Sequence, residues 1–147
     1  MSPSPSKKDE YKKIYTKARP NLLKLAKELY IDDISDNFFL EVVIPLSDYL
    51  NSFKEKNIPY LIGLTGGQGS GKTTLSIFIQ QILKDIFKKS TVGFSIDDIY
   101  KTKEERDKVA RNIHPLCSVR GVPGTHDIEL GTNTIDSLFD ARPSTYT

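Results

Sequence analysis

Eight consecutive residues restrict this chain more than any other feature. Gly66-Gly67-Gln68-Gly69-Ser70-Gly71-Lys72-Thr73 is a complete G-x-x-x-x-G-K-[ST] pattern. The glycines at 66, 67, 69 and 71 permit positive φ and remove side chains, so successive backbone N–H groups can turn inward around an anion. An apolar helical repeat starts directly behind the loop, with Leu75, Phe78, Ile79, Ile82, Leu83, Ile86 and Phe87 marking a helix to about Lys89. The unpaired N–H groups and positive dipole end of that helix face the same point as the loop. Lys72 is a compact charge able to reach the β/γ oxygens of a nucleotide, and the Thr73 hydroxyl suits Mg²⁺. Residues Gly66 to Thr74 are therefore read as the nucleotide-binding segment. Chance matches to such a pattern arise in on the order of one in a few hundred chains of this length.

The flanking sequence predicts an α/β fold. Tyr60-Leu61-Ile62-Gly63-Leu64-Thr65, entered through Pro59 and ended by the glycines, has the composition of a buried strand. Thr91-Val92-Gly93-Phe94-Ser95-Ile96 repeats it and ends at two carboxylates, Asp97 and Asp98. Strand, helix and strand at this spacing predict a βαβ unit, hence a parallel sheet with a right-handed crossover. A carboxylate at the C-terminal end of such a strand can hold Mg²⁺ or accept a proton, which is the role expected of Asp97. Asp98 is equally suited to capping the following turn. Thr102 and Glu105 form a capping box for a polar helix from Lys103 to about Asn112, closed by His114-Pro115, and a further helix is expected from about Asp127 to Phe139. Arg120-Gly121-Val122-Pro123-Gly124-Thr125-His126-Asp127 combines a cation, a Pro turn between glycines and a His-Asp pair. It reads as a rigid polar loop able to grip a small hydroxylated or anionic acceptor, although His126 beside Asp127 equally suits a helix cap.

Ahead of Pro59 the chain reads as scaffold. Residues 1–6 alternate Ser and Pro and are expected to be a disordered tail, 7–57 a helical segment, and 58–147 the nucleotide-binding domain. Leu22, Leu25, Ala26 and Leu29 predict an amphipathic helix beginning after Pro20, and Leu46, Tyr49, Leu50 and Phe53 repeat the spacing behind Pro45. Twenty-one Lys and Arg against 19 Asp and Glu leave a net charge of +2, which excludes a polybasic nucleic-acid-coating protein. The single Cys117 excludes an intrachain disulfide framework and a Cys-rich zinc module. No apolar run reaches the roughly 18 residues of a membrane span, and the opening MSPSPSKKDE lacks the apolar core of a secretory signal. A cytoplasmic protein with neither a nucleic-acid nor a membrane partner is expected.

GGQGSGKTT, SIDDIYKTKEER and HPLCSVRGVPGTHD together resemble the D-glycerate 3-kinase family, P-loop small-molecule kinases related to uridine kinase, phosphoribulokinase and pantothenate kinase. The resemblance runs from about Tyr60 to Asp140. It implies a P-loop NTPase-like parallel sheet with flanking helices, with ATP and Mg²⁺ served by Lys72 and Thr73. It further implies Asp97 as the metal-associated catalytic base, and Tyr100, Arg120, His126 and Asp127 around a small hydroxy acid, D-glycerate. Ile99 stands where the family carries an aromatic residue. Related kinases continue into further strands and a lid where this sequence ends at Arg142 to Thr147, so the resemblance implies an incomplete, truncated member. A nucleotide-binding fragment without turnover, or another kinase of the uridine/pantothenate branch, is the alternative. A GTPase-like switch is disfavoured, since no N/T-K-x-D motif for reading guanine is present.

Overall fold

Tyr11, Tyr15, Ala18, Leu22 and Ala26 recur at helical spacing, and they form the buried stripe of one long helix, α1 (Pro5–Glu28). The computed structural model describes residues 4–53 and 59–140. Of the expected disordered tail, Met1–Pro3 lie outside the described residues, Ser4 precedes the helix, and Pro5 and Ser6 belong to it. The helix does not start after Pro20 but runs through it. Proline inside a helix removes one backbone bond and crowds the preceding turn, yet Pro20 itself is exposed. The apolar stripe buried on both sides of it, Ala18 and Leu22, holds the helix together.

The described residues fall into two compact units. In the first, a helical run follows α1: α2 (Asp36–Phe38), a π turn (Phe39–Val43) and α3 (Ile44–Asn51). The Ile44 N–H donates to the Phe39 carbonyl, five residues back, immediately before Pro45. Proline has no N–H to continue the ordinary ladder, and a widened turn accommodates it. The helix behind the glycines is α4 (Lys72–Asp85), somewhat shorter than the repeat suggested. It buries Phe78, Ile79, Ile82 and Leu83 against α1 and α3. Four rings anchor this core: Phe39 lies 5.1 Å from Phe78, 5.7 Å from Phe38 and 5.7 Å from Tyr15, centroid to centroid. The polar groups at its margin are paired. The Tyr15 hydroxyl donates to Asp36, Tyr11 to Asp48, and Asn21 and Gln81 both donate to Asp85, at 2.6 and 2.7 Å.

The expected parallel sheet is not there. Among the described residues no strand forms; the one β pairing is an isolated antiparallel bridge between Tyr100 and His126. Among the described residues, 60–65 and 91–95 belong to no helix and form no ladder, and Ile96 already belongs to a short 3₁₀ turn. Their apolar side chains remain exposed, among them Leu61, Ile62, Val92 and Ile96. A strand exists through its ladder, and a crossover helix must lay its apolar face on the sheet. Here that face of α4 is occupied by the N-terminal helices. The apolar runs carry strand composition without strand pairing, and the doubly flanked α/β architecture is replaced by a helical one.

The second unit holds the 3₁₀ turn (Ile96–Ile99), α5 (Lys103–Asn112), a further 3₁₀ turn (Pro115–Ser118) and α6 (Ile128–Asp140). The Thr102–Glu105 capping box forms as the sequence indicates, with Thr102 N–H donating to the Glu105 carboxylate at 2.8 Å. Packing of α5 on the Pro115–Ser118 turn buries Cys117, a free thiol. Gly131 of α6 is buried, and a Cβ there would meet Ile99 Cδ1 at 2.9 Å. The helix is thereby allowed to approach the 3₁₀ turn closely. No helix among the described residues is long and apolar enough to cross a membrane.

Candidate functional site

The glycine loop is curled, as an anion cradle requires. Gly69 has φ +74° and Gly71 has φ +79°, both in the left-handed region that side-chain-bearing residues avoid. Gly66 faces the inside of the curl, where an added Cβ would sit 3.0 Å from Ser70 Oγ and 3.4 Å from the Lys72 stem. Gly71 is the N-cap of α4 and the first helical bond runs from Leu75 N–H to the Gly71 carbonyl at 2.8 Å. The helix end carries no side-chain cap, so the N–H groups of Lys72, Thr73 and Thr74 are available to an external acceptor. Within the loop, the Ser70 N–H donates to the Gly67 carbonyl at 3.3 Å. Lys72 Nζ donates to that same carbonyl at 2.7 Å. Its ammonium is thus folded over the loop, one hydrogen bond away from release. Gln68 adds its side chain at the exposed tip.

Thr73 is exposed and its hydroxyl has no partner among the described residues, whereas Thr16, Thr132 and Thr134 each donate back to a carbonyl of their own helix. A free hydroxyl in the first turn behind a glycine loop is of a kind that can ligate Mg²⁺. Among the described residues no group of three or more His, Cys, Asp or Glu could hold a metal ion alone. A Mg²⁺ shared with substrate phosphates needs one or two side chains.

The two aspartates of the second unit part company. Asp98 accepts from the Ser95 N–H at 2.7 Å and the Ser95 hydroxyl accepts from the Asp97 N–H at 3.1 Å, a reciprocal cap on the 3₁₀ turn. Asp98 is therefore the capping residue. The Asp97 carboxylate is exposed and takes no partner among the described residues, although it sits in a turn and not at the end of a strand. Directly after this turn, the Tyr100 ring stacks on His126, with centroids 4.1 Å apart and planes 26° apart. The Arg120 guanidinium lies over the Tyr100 ring at 5.3 Å, at cation–π distance, and makes no ion pair among the described residues. Backbone bonds on either side of the bridge register the two segments: Lys101 N–H to the Thr125 carbonyl at 2.9 Å and Asp127 N–H to the Ile99 carbonyl at 2.7 Å. Positive φ at Gly121 and Gly124 turns the intervening loop, and Thr125 is fully buried beneath it.

His126 Nε2 is buried and has no hydrogen-bond partner among the described residues. The helix cap that might have claimed His126 belongs to Asp127, whose carboxylate accepts from the Leu130 N–H at 2.9 Å. Tyr100, Arg120 and His126 are thus assembled, while Asp127 acts locally as the α6 cap. One contributor to this geometry carried no sequence signal: Arg106, one of many charged residues on α5, donates to two backbone carbonyls of the surrounding segments.

Three curated proteins share a segment with this chain. An uncharacterized kinase, mug58, of Schizosaccharomyces pombe is 35% identical over 106 residues, covering 67% of this chain and 37% of its own. The chloroplastic D-glycerate 3-kinase of Arabidopsis thaliana is 35% identical over 82 residues, 54% of this chain and 18% of its own. The probable ATP-dependent kinase TDA10 of Saccharomyces cerevisiae is 34% identical over 107 residues, 63% of this chain and 37% of its own. The chain therefore spans well under half the length of these relatives. No family model matches the chain, and no solved structure does. Across the shared segment, this chain is a homologue of a group of kinases that includes a D-glycerate 3-kinase.

Proposed function

We propose that residues Gly66 to Thr74 bind the triphosphate of ATP and that the protein transfers the γ-phosphoryl group to a hydroxyl of a small acid, D-glycerate being the acceptor to test first. The observation that carries the reading is the curled loop, whose uncapped helix end leaves the N–H groups of Lys72, Thr73 and Thr74 without partners among the described residues. The kinase names of the homologues support the reaction class, and the name of one supports the acceptor.

In this reading the loop amides bind the phosphates as an oriented set of donors. Lys72 exchanges the Gly67 carbonyl for a phosphate oxygen and balances charge as the γ-phosphoryl group moves. Thr73 and Asp97 are the residues that would ligate Mg²⁺, which screens the phosphate charge when bound. The unpartnered Asp97 carboxylate accepts the proton of the acceptor hydroxyl as its oxygen bonds to the γ-phosphorus and the bond to the β-phosphate oxygen breaks. Arg120, which has no carboxylate partner among the described residues, pairs with the acceptor carboxylate, and the His126 Nε2 left unpaired among them offers a hydrogen bond to the acceptor.

A thermal-shift titration tests the loop. ATP with Mg²⁺ at about 100 times Kd adds roughly 2.7 kcal/mol of stability to wild type, and Lys72→Ala abolishes most of that gain. Equal shifts in both proteins would remove the loop assignment. A coupled assay in which ATP loss shows no dependence on glycerate would remove the acceptor.

A further inference from the structure

We propose that Arg106 is a positioning residue for the Tyr100–Arg120–His126 assembly, holding in register the two chain segments that carry it; its effect on the acceptor rests on the reading above. Arg106 lies on α5 and is half-buried. Its Nη1 donates to the Lys101 carbonyl at 2.5 Å, and its Nε donates to the Ser118 carbonyl at 3.2 Å. The first carbonyl belongs to the residue directly after Tyr100, the second to a residue two before Arg120. One planar guanidinium therefore bridges the segment leaving the Tyr100 ring and the segment entering the Arg120 loop.

The bridge has few substitutes. Lys101 is tied on its other side by its N–H to the Thr125 carbonyl, so the Arg106 bond completes a chain from α5 through Lys101 to the residue before His126. The Ser118 hydroxyl turns back to the Pro115 carbonyl, leaving the Ser118 carbonyl to Arg106. Among the described residues Arg106 forms no ion pair, so its charge strengthens these two carbonyl bonds. Lysine cannot reproduce the fork, since an ammonium on a flexible stem lacks the fixed pair of donor directions.

The chain contains two histidines, His114 and His126, which makes the assembly directly visible by proton NMR. His126 lies against the Tyr100 ring, so its ring protons carry a ring-current displacement, and His114→Asn assigns them. In the full chain, Arg106→Met is expected to move the His126 resonances toward their unstacked position, with Arg106→Lys intermediate, while the far-UV circular dichroism of the helices is retained. Should Arg106→Met fail to fold, Arg106→Lys decides on the same resonances. In the coupled assay, KM for D-glycerate rises on the order of tenfold in Arg106→Met, as expected when a displaced Arg120 loses its charge-assisted bond to the acceptor, and KM for ATP stays put. Unmoved His126 resonances in a folded Arg106 variant overturn the proposal, as does an equal rise in both KM values. If wild type does not respond to glycerate while the His126 resonances move, the acceptor reading fails and the positioning role of Arg106 stands.

Discussion

Substituting alanine at two glycines of the loop should change stability in opposite directions. Gly71 holds φ +79° and ψ 15°, and an added Cβ there would meet nothing within 4 Å. The cost of Gly71→Ala is therefore conformational and not a clash, and a left-handed L-residue costs roughly 1–2 kcal/mol. Gly67 is equally open, with nothing within 4 Å of its added Cβ, and lies outside the left-handed region. There alanine restricts the unfolded chain more than the folded one, a gain of about 0.4–1 kcal/mol. The two variants should thus differ by roughly 1.5–3 kcal/mol although both exchange one hydrogen for one methyl. Urea denaturation followed by far-UV circular dichroism reads this as midpoints displaced to either side of wild type. Displacement of both in the same direction, or a Gly71→Ala midpoint at or above wild type, would refute the left-handed cap on which the open helix end depends.

Other parts of the molecule are testable in the same way. Phe39→Ala removes a fully buried ring that touches Tyr15, Phe38 and Phe78, and a loss of about 3–5 kcal/mol is expected in chemical denaturation. Pro20→Ala restores a donor for the interior of α1 at an exposed position, so stability should rise by about 2 kcal/mol; no rise would mean that the helix is already broken there. Asp98→Ala should loosen the Ser95 turn, whereas Asp97→Ala should leave stability within about 0.5 kcal/mol of wild type and abolish phosphoryl transfer, a pairing read by denaturation and turnover together. The Thr102 hydroxyl, and next its backbone N–H, hold the Glu105 carboxyl below its ordinary value of 4.5. A depressed carboxyl stabilises the fold above that value and ceases to as pH falls through the folded value. The stability gap between wild type and Thr102→Ala should accordingly be full at pH 7 and close progressively below about pH 4.5; a gap independent of pH would contradict the cap.

Much of the local structure was written in short-range chemistry. The capping box at Thr102 and Glu105, the helix directly behind Lys72, and the left-handed glycines at 69 and 71 follow from bonds and sterics within a few residues. The division of the two aspartates is local as well, since Ser95 and Asp98 cap one another, although the residues alone left the role of Asp98 open. Such features need no distant partner, so short-range bonds settle them. Tyr60–Thr65 and Thr91–Ile96 are different: their composition states that they can be buried, but a ladder needs a neighbour that no local pattern supplies. Tertiary packing settled the matter by laying Phe78, Ile79, Ile82 and Leu83 of α4 on α1 and α3, where a sheet had been expected. It likewise brought Arg106 to the carbonyl of Ser118, and Tyr100 to His126. Contacts between residues far apart in sequence depend on which apolar faces meet, and that choice is made by the whole chain at once.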